Sequence, residues 1–307
     1  MKNCLLLALL VAISVPFTSF AATIHETGSN TAKFNYNSAD SYRDTIQWSK
    51  RKTAPWFVDR FKISAGLFAA TTTTDIKLGG NAGSIGSDID FEKDLGLTRD
   101  VQTFLGNFQW RISRRWRFDF SYYKLNRSSN FTLQDSFIFG DHTYNINVNV
   151  NSYFNNAIYR VSCGYAILAK PTAELGLLIG AHTLQTSMGV GISAGGAGVA
   201  YSDNFNFTAP LPDLGIWGGW ALSKRWALNG EFNYLTVAAG DIKGEIVGYN
   251  ASLSYKATKH FDLALGYTGF EFTIDAKSNN QSGHIGWGYH GPSISADFRF
   301  GHNKWNH

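Results

Sequence analysis

Arg115-Trp116-Arg117-Phe118-Asp119-Phe120-Ser121-Tyr122-Tyr123 is the stretch that decides the fold. Trp116, Phe118, Phe120 and Tyr122 take every second position, and Arg117, Asp119, Ser121 and Tyr123 fall between them. Successive side chains of a strand point to opposite faces, so a period of two predicts a strand with one apolar and one polar face. The pattern recurs. Trp226, Leu228, Phe232 and Tyr234 oppose Ala227, Asn229, Glu231 and Asn233; Phe261, Leu263, Leu265 and Tyr267 oppose Asp262, Ala264, Gly266 and Thr268. Val247 to Tyr255 and Ile294 to Phe300 alternate in the same way. Apolar faces that start and finish on rings, as Trp116 and Tyr122 or Trp226 and Tyr234 do, fit the lipid-facing wall of a barrel, because amphipathic rings settle at the membrane–water boundary. A soluble sandwich also alternates. It does not as a rule send large rings outward at strand ends while setting Arg, Asp and Glu on the other face.

Turn signals give the topology. Tight polar turns fall at Ser113-Arg114, Lys170-Pro171, Ser223-Lys224-Arg225 and Thr258-Lys259-His260, and longer connections at 73–98, 126–142, 188–208, 238–244 and 276–288. Short and long alternate, as in outer-membrane barrels with short periplasmic turns and long external loops. The reading is all-β, an antiparallel up-and-down transmembrane β-barrel of about ten strands, with eight or twelve left open. The strands are placed at 57–72, 99–112, 115–126, 143–169, 172–187, 209–222, 226–237, 245–257, 260–274 and 289–300. The phase of alternation flips near 152–158 and again at Gly269-Phe270, which predicts bulges or strand extensions beyond the membrane.

The ends complete the organisation. Lys2, the apolar run from Leu5 to Val15 and Ser19-Phe20-Ala21 read as a signal peptide cleaved after Ala21. Residues 22–56 are polar, with Ser38 as a helix cap and Tyr42 and Ile46 one turn apart; they read as a periplasmic extension, or as a plug entering the lumen. Residues 57–300 form the barrel and 301–307 a periplasmic tail. Charged residues make up 16%, below the roughly 25% of soluble domains, and 15% are aromatic, so a disordered chain is excluded. A formal charge of +4 with no long Lys/Arg run speaks against nucleic acid as a partner. After cleavage Cys163 stands alone on an apolar strand face with Tyr159, Val161 and Tyr165, where it reads as packing rather than as a nucleophile.

Three stretches carry a resemblance: Ile89 to Leu97, Arg114 to Leu125, and Tyr289 to Phe300. On these the chain resembles a largely uncharacterised family of proteobacterial outer-membrane β-barrel proteins, porin-like in outline. The resemblance implies a location in the outer membrane, among its lipids and lipopolysaccharide, and a fold; it implies no reaction. Gly291 to Phe300 also resembles the C-terminal signal read by the barrel-assembly machinery, although Gly301 to His307 follow the final aromatic.

The candidate site is the polar face of the strands: Lys62, Arg111, Arg117, Asp119, Arg160, Glu174, Glu231, Asp262, Asp297 and Arg299. In a barrel this narrow, side chains nearly fill the interior, so these charges pair or stay wet. They read as a structural ion-pair network or as the lining of a narrow pore, and mixed signs favour the first. Asp88, Asp90, Glu92 and Asp94 alternate as carboxylates that meet Ca²⁺ or Mg²⁺ do, but lack the spacing of a calcium loop; they read as a solvated loop edge. Asp241, Asp275, His284 and His290 near the outer rim raise an omptin-like hydrolase without its paired acidic motif. His290 and Ser293, three apart, face opposite sides, against a lipid A deacylase. His302 and His307 are too few for a metal site. Asn145, Asn147, Asn149 and Asn151 read as a strand extended beyond the bilayer, and the glycine-rich run from Gly189 to Gly198 as an external loop, not a phosphate cradle. No cofactor and no metal is expected. The reading is non-enzymatic, a narrow porin-like channel or structural barrel, with an outer-membrane hydrolase or a loop-mediated adhesin as rivals.

Overall fold

A computed structural model describes residues 54–77, 88–139, 142–192, 201–239, 242–278 and 281–301. The chain divides into units Met1–Arg51 and Lys52–His307, and all described residues belong to the second. The expected signal segment, nearly all of the expected 22–56 extension and residues 302–307 therefore lie outside the described residues.

The elements are β1 (Phe61–Lys77), β2 (Asp88–Asp90), β3 (Asp100–Arg111), β4 (Trp116–Thr132), β5 (Phe137–Phe139), β6 (His142–Tyr144), β7 (Asn149–Ala169), β8 (Ala173–Ile192), β9 (Tyr201–Ala221), β10 (Trp226–Ala239), β11 (Ile242–Lys256), β12 (Phe261–Ser278) and β13 (Gln281–Phe300). Ten of these form one antiparallel sheet in the order β13-β12-β11-β10-β9-β8-β7-β4-β3-β1, and β13 pairs back onto β1 from Phe61↔Phe300 to Lys77↔His284. The sheet is a closed barrel. Its short turns, at the four expected places, mark what we call the lower end.

Alternation sets the wall. Leu67, Phe104, Val161, Ile179, Leu214, Leu265 and Ile294 all point outward and are exposed. Rings border this apolar band: Trp110, Trp116, Tyr165, Trp220 and Trp226 below, Tyr122, Tyr234, Tyr249 and Tyr267 above.

Of the two alternatives at 152–158 and Gly269-Phe270, bulges are absent and the strands run on. β7 pairs continuously with β8 from Asn151↔Gly191 to Ala166↔Gly176, and its register shifts only between Ala166 and Leu168; β12 pairs continuously with β13. Even-numbered residues stay inside along β12 and along β7 up to Ala166; beyond the shift Leu168 faces out. What changes is the chemistry of the inside. Val150, Phe154 and Ile158 of β7, and Phe270 and Phe272 of β12, are buried in the upper barrel. There they join Phe68, Leu184, Met188, Leu211, Trp287 and Tyr289 in one core.

Two inserts complete that core from above. Asp90 Oδ1 accepts the N–H groups of Glu92 and Lys93 (both 2.9 Å), which turns the chain so that Phe91, Leu95 and Leu97 drop inward. Gly96, at φ 67, takes a left-handed conformation there that a side chain would resist. The β5–β6 hairpin adds Phe137, Phe139 and Tyr144; Asn147 at φ 66 then leads the chain back into β7.

The upper wall is not fully laddered. β3 pairs with β4 only from Leu105↔Tyr123 to Arg111↔Arg117, and β9 with β10 only from Leu214↔Tyr234 to Ala227↔Ala221. Above those points β4-β7-β8-β9 and β10-β11-β12-β13-β1, the latter with the first residues of β3 and with β2 paired along β1, are two sheets with the core between them. Pro210 and Pro212 lie on β9 where the second seam is open. Ala221 donates its N–H to Thr172, on the β8 side, so even-numbered residues of β9 direct theirs toward β10. Prolines at 210 and 212 have none to give.

Three connections come out shorter than expected, since β8 to β9, β10 to β11 and β12 to β13 continue as strand well above the tyrosines. Their glycine and small polar residues read as loop in the sequence. Residues 57–60, assigned to the first strand, precede it.

Candidate functional site: a polar chamber in the lower lumen

Below the apolar core the barrel encloses a chamber of about 290 Å³. All ten predicted residues line it: Lys62, Arg111, Arg117, Asp119, Arg160, Glu174, Glu231, Asp262, Asp297 and Arg299. The wall is asymmetric. β3, β4, β7, β8, β9 and β10 contribute long charged side chains and Trp217, whereas β11, β12, β13 and β1 contribute mostly small ones such as Ser252, Ser254, Gly266, Ser293 and Ser64. The void exists because those side chains are short.

The charges form three groups. Glu174 takes Arg111 Nη2 at 2.5 Å and Arg114 Nη1 at 2.7 Å. Glu231 bridges Arg117 Nη2 (2.8 Å) and Arg160 Nη1 (2.6 Å). Arg117 Nε also lies 3.0 Å from Asp119, to which Gln109 donates at 2.6 Å. Arg160 reaches on to Asp213 (3.4 Å), which has His182 Nδ1 at 2.9 Å on its other side. In the third group Arg299 donates to both oxygens of Asp262 and to Asp59 Oδ2. Asp297 accepts the hydroxyl of Ser295 at 3.1 Å. Buried charges are tolerable only when matched in this way. The ten comprise five cations and five anions, so the lining selects no sign.

Trp217 organises the charged wall. Its indole lies under the Arg117 guanidinium, 3.8 Å from ring centroid to Cζ, with that of Arg111 at 5.4 Å. Gly164 and Gly176 make the space: a Cβ on Gly176 would come within 2.6 Å of the ring.

Both ends of the chamber are obstructed. Trp56 Nε1 donates to the Ser223 carbonyl (3.1 Å) in the turn opposite β1, and Arg299 donates to the Trp56 carbonyl, so residues 55–59 cross the lower mouth. Phe57 lies against Gly219 and faces the chamber. Above, Arg127 joins Glu92 and Thr74 inside the apolar core.

Asp213, His182, Arg114, Asp59 and Trp217 were not read from the sequence. Trp217 sits in Ile216-Trp217-Gly218-Gly219-Trp220, where neighbouring apolar residues hide the phase. Asp213 had a signal: it follows Leu211 at period two, flanked by outward Pro212 and Leu214. Arg114 lies in a turn, and Asp59 before the strands.

The other candidates separate. Glu92 is buried against Arg127, and its Oε2 accepts the Thr74 N–H (2.9 Å), so the expected solvated edge is at this residue a packed strut; Asp94 accepts the Asp90 N–H (2.9 Å) and Asp88 meets Lys77. Among the described residues no group of three or more His, Cys, Asp or Glu side chains is gathered to hold a metal. His284 Nδ1 lies 2.7 Å from Asp275 Oδ1 on the outer face, and His290 is bonded to the Tyr267 hydroxyl (2.8 Å). His290 faces out and Ser293 in. Asp241, His302 and His307 lie outside the described residues.

No family model matches the chain, and no curated protein does. Solved structures similar to it include Ail of Yersinia pestis (10% identity, 77% of this chain and 99% of that one, TM-score 0.29). The toluene transporter TodX of Pseudomonas putida is similar at 9% identity, 79% and 90% coverage and TM-score 0.33. Neisserial surface protein A follows at 12%, 78%, 97% and 0.27. These are outer-membrane barrels, and likeness at this level says nothing of what this chain binds.

Proposed function

We propose that the protein is a bacterial outer-membrane barrel, exported and cleaved after Ala21, that acts as a closed, non-enzymatic anchor holding a two-sheet head above the membrane. The continuous apolar band bordered by rings supports insertion, with surrounding lipid and lipopolysaccharide as its partners and Gly291–Phe300 as the strand offered to the assembly machinery. One observation carries the choice of anchor over channel: the lumen is interrupted along its length, by Trp56 to Asp59 below and the apolar core above. Ions cross hydrocarbon-packed interiors at prohibitive cost.

The test is planar-bilayer conductance of the refolded full chain. Silence is expected from protein that migrates differently before and after boiling. A steady conductance in that folded protein overturns the closed reading and restores the narrow channel. An unchanged migration overturns the barrel itself.

A further inference from the structure

The outer faces of the two upper sheets differ in chemistry. On β10, β11, β12, β13 and β1 one register row carries Lys243, Asp275, His284 and Lys77. On β4, β7, β8 and β9 the pairing builds a regular grid of another kind. Its first row is Asn126, Asn155, Ser187 and Asn206. The second is Ser128, Tyr153, Gly189 and Asn204. The third is Asn130, Asn151, Gly191 and Ser202. No position in the grid is charged.

Three features point to a ligand rather than to water alone. Asparagine is among the residues strands disfavour, and Thr or Lys would solvate an outer face at lower conformational cost; half of this grid is asparagine. The Tyr153 ring crosses over Gly189, where a Cβ would meet it, and its hydroxyl donates to Asn204 Oδ1 (3.0 Å), so an aromatic ring sits at the centre of an amide field. Asn, Ser, Gly and Tyr together are also the composition that binding surfaces use when adaptable hydrogen bonding must accompany a rigid ring.

The occupant follows from chemistry and position. An amide offers a donor pair and an acceptor side by side, matching vicinal hydroxyls, and a flat ring matches the C–H face of a pyranose. With strands about 4.8 Å apart and about 3.4 Å per residue, the grid is roughly 14 Å square, the footprint of a short oligosaccharide. It begins one row above Lys124, which lies one row above the paired rings Tyr122 and Tyr159 at the band's upper edge (4.9 Å). We infer that this face docks the neutral hexose region of the lipopolysaccharide core surrounding the barrel. Lys124, the single cation beneath it, then lies level with the phosphates nearer the lipid. The inference rests on the outer-membrane reading.

The probe is dephosphorylated, lipid-free core oligosaccharide, titrated calorimetrically against the full chain in phosphatidylcholine nanodiscs, with a heparin fragment as the polyanionic comparison. Binding of the core oligosaccharide is expected. The triple variant Asn126→Thr, Asn155→Thr, Asn206→Thr keeps strand propensity and removes three amides, so affinity should fall at least about tenfold. The pair Lys243→Thr, Glu245→Thr on the other sheet should leave it unchanged. No binding by folded protein, equal binding by the triple variant, or binding of the heparin fragment alone overturns the inference. Heat-dependent migration of every sample separates that failure from failure of the barrel reading.

Discussion

The lower and upper halves of this barrel are built by the same strands in unbroken phase, yet they are opposite in chemistry. β12 turns Asp262, Ala264, Gly266 and Thr268 inward below and Phe270 and Phe272 inward above. β4 turns Trp116, Phe118 and Phe120 outward below and Asn126, Ser128 and Asn130 outward above. The surrounding medium explains the inversion. Where lipid wets the outside, burying apolar residues inside gains nothing, and the interior can hold water and paired charge. Where water wets the outside, the head needs an apolar interior like any soluble sandwich. The seams obey the same rule. Lipid offers no hydrogen-bond partner, so every strand of the lower wall is paired on both sides. Both unpaired seams, β3/β4 and β9/β10, open at or just above the tyrosine level, where water can satisfy a free N–H.

The largest predicted effect strikes the head alone. Phe91 is fully buried against Phe139 and Phe154, so Phe91→Ala should cost about 3–5 kcal/mol of head stability. Hydrogen exchange should rise in the upper residues of β7, β8 and β12, while amides beside the chamber stay protected. Uniform loss of protection through both halves would mean that they are one cooperative unit.

In the lower half the corresponding weak point is charge. Glu174→Gln leaves Arg111 and Arg114 facing each other in a buried site, and should cost about 3–5 kcal/mol. Urea-dependent folding into lipid vesicles reads this. A loss under about 1 kcal/mol would show that water in the chamber already screens the cluster. The wall is tested at smaller amplitude. Phe118→Arg, on the outer face, should cost about 2–4 kcal/mol, whereas Ser121→Asp, lining the chamber opposite Arg160, should cost at most about 1 kcal/mol. A larger cost for Ser121→Asp would mean the faces are exchanged.

Much of this was legible in the sequence, and the limit has a physical cause. A period of two reports contrast between faces, and ten strands and the inward side of Arg117, Glu231 and Asp262 follow from it once the outside is taken as apolar. The period does not say which face is inside. At Phe154 and Phe270 the apolar residues change sides while the backbone does not, a pattern that sequence cannot tell from a bulge. Glu92 was unreadable for a different reason: its burial depends on Arg127, distant in sequence, and on a turn whose geometry is set by Asp90.

The smallest predicted effect addresses what holds the β9/β10 seam open. The residues of β10 above Tyr234 are 235–239, and continuing the register sets them opposite 213–209, the segment that carries both prolines. Pro210→Thr with Pro212→Thr restores two donors aimed at β10. If their absence is what ends the ladder, it should extend upward in the variant. The amides at 236 and 238 should then exchange about tenfold more slowly than in the parent chain, the new amides at 210 and 212 should be protected, and the head should gain no more than about 1 kcal/mol. Unchanged exchange would instead assign the seam to side-chain packing. Buried Leu211 and half-exposed Val237 both have inward parity, and bringing their strands together would press them into a core already filled by Phe270 and Ile246. In that case the prolines only blunt an edge that the core holds apart, the role proline plays on exposed edges generally.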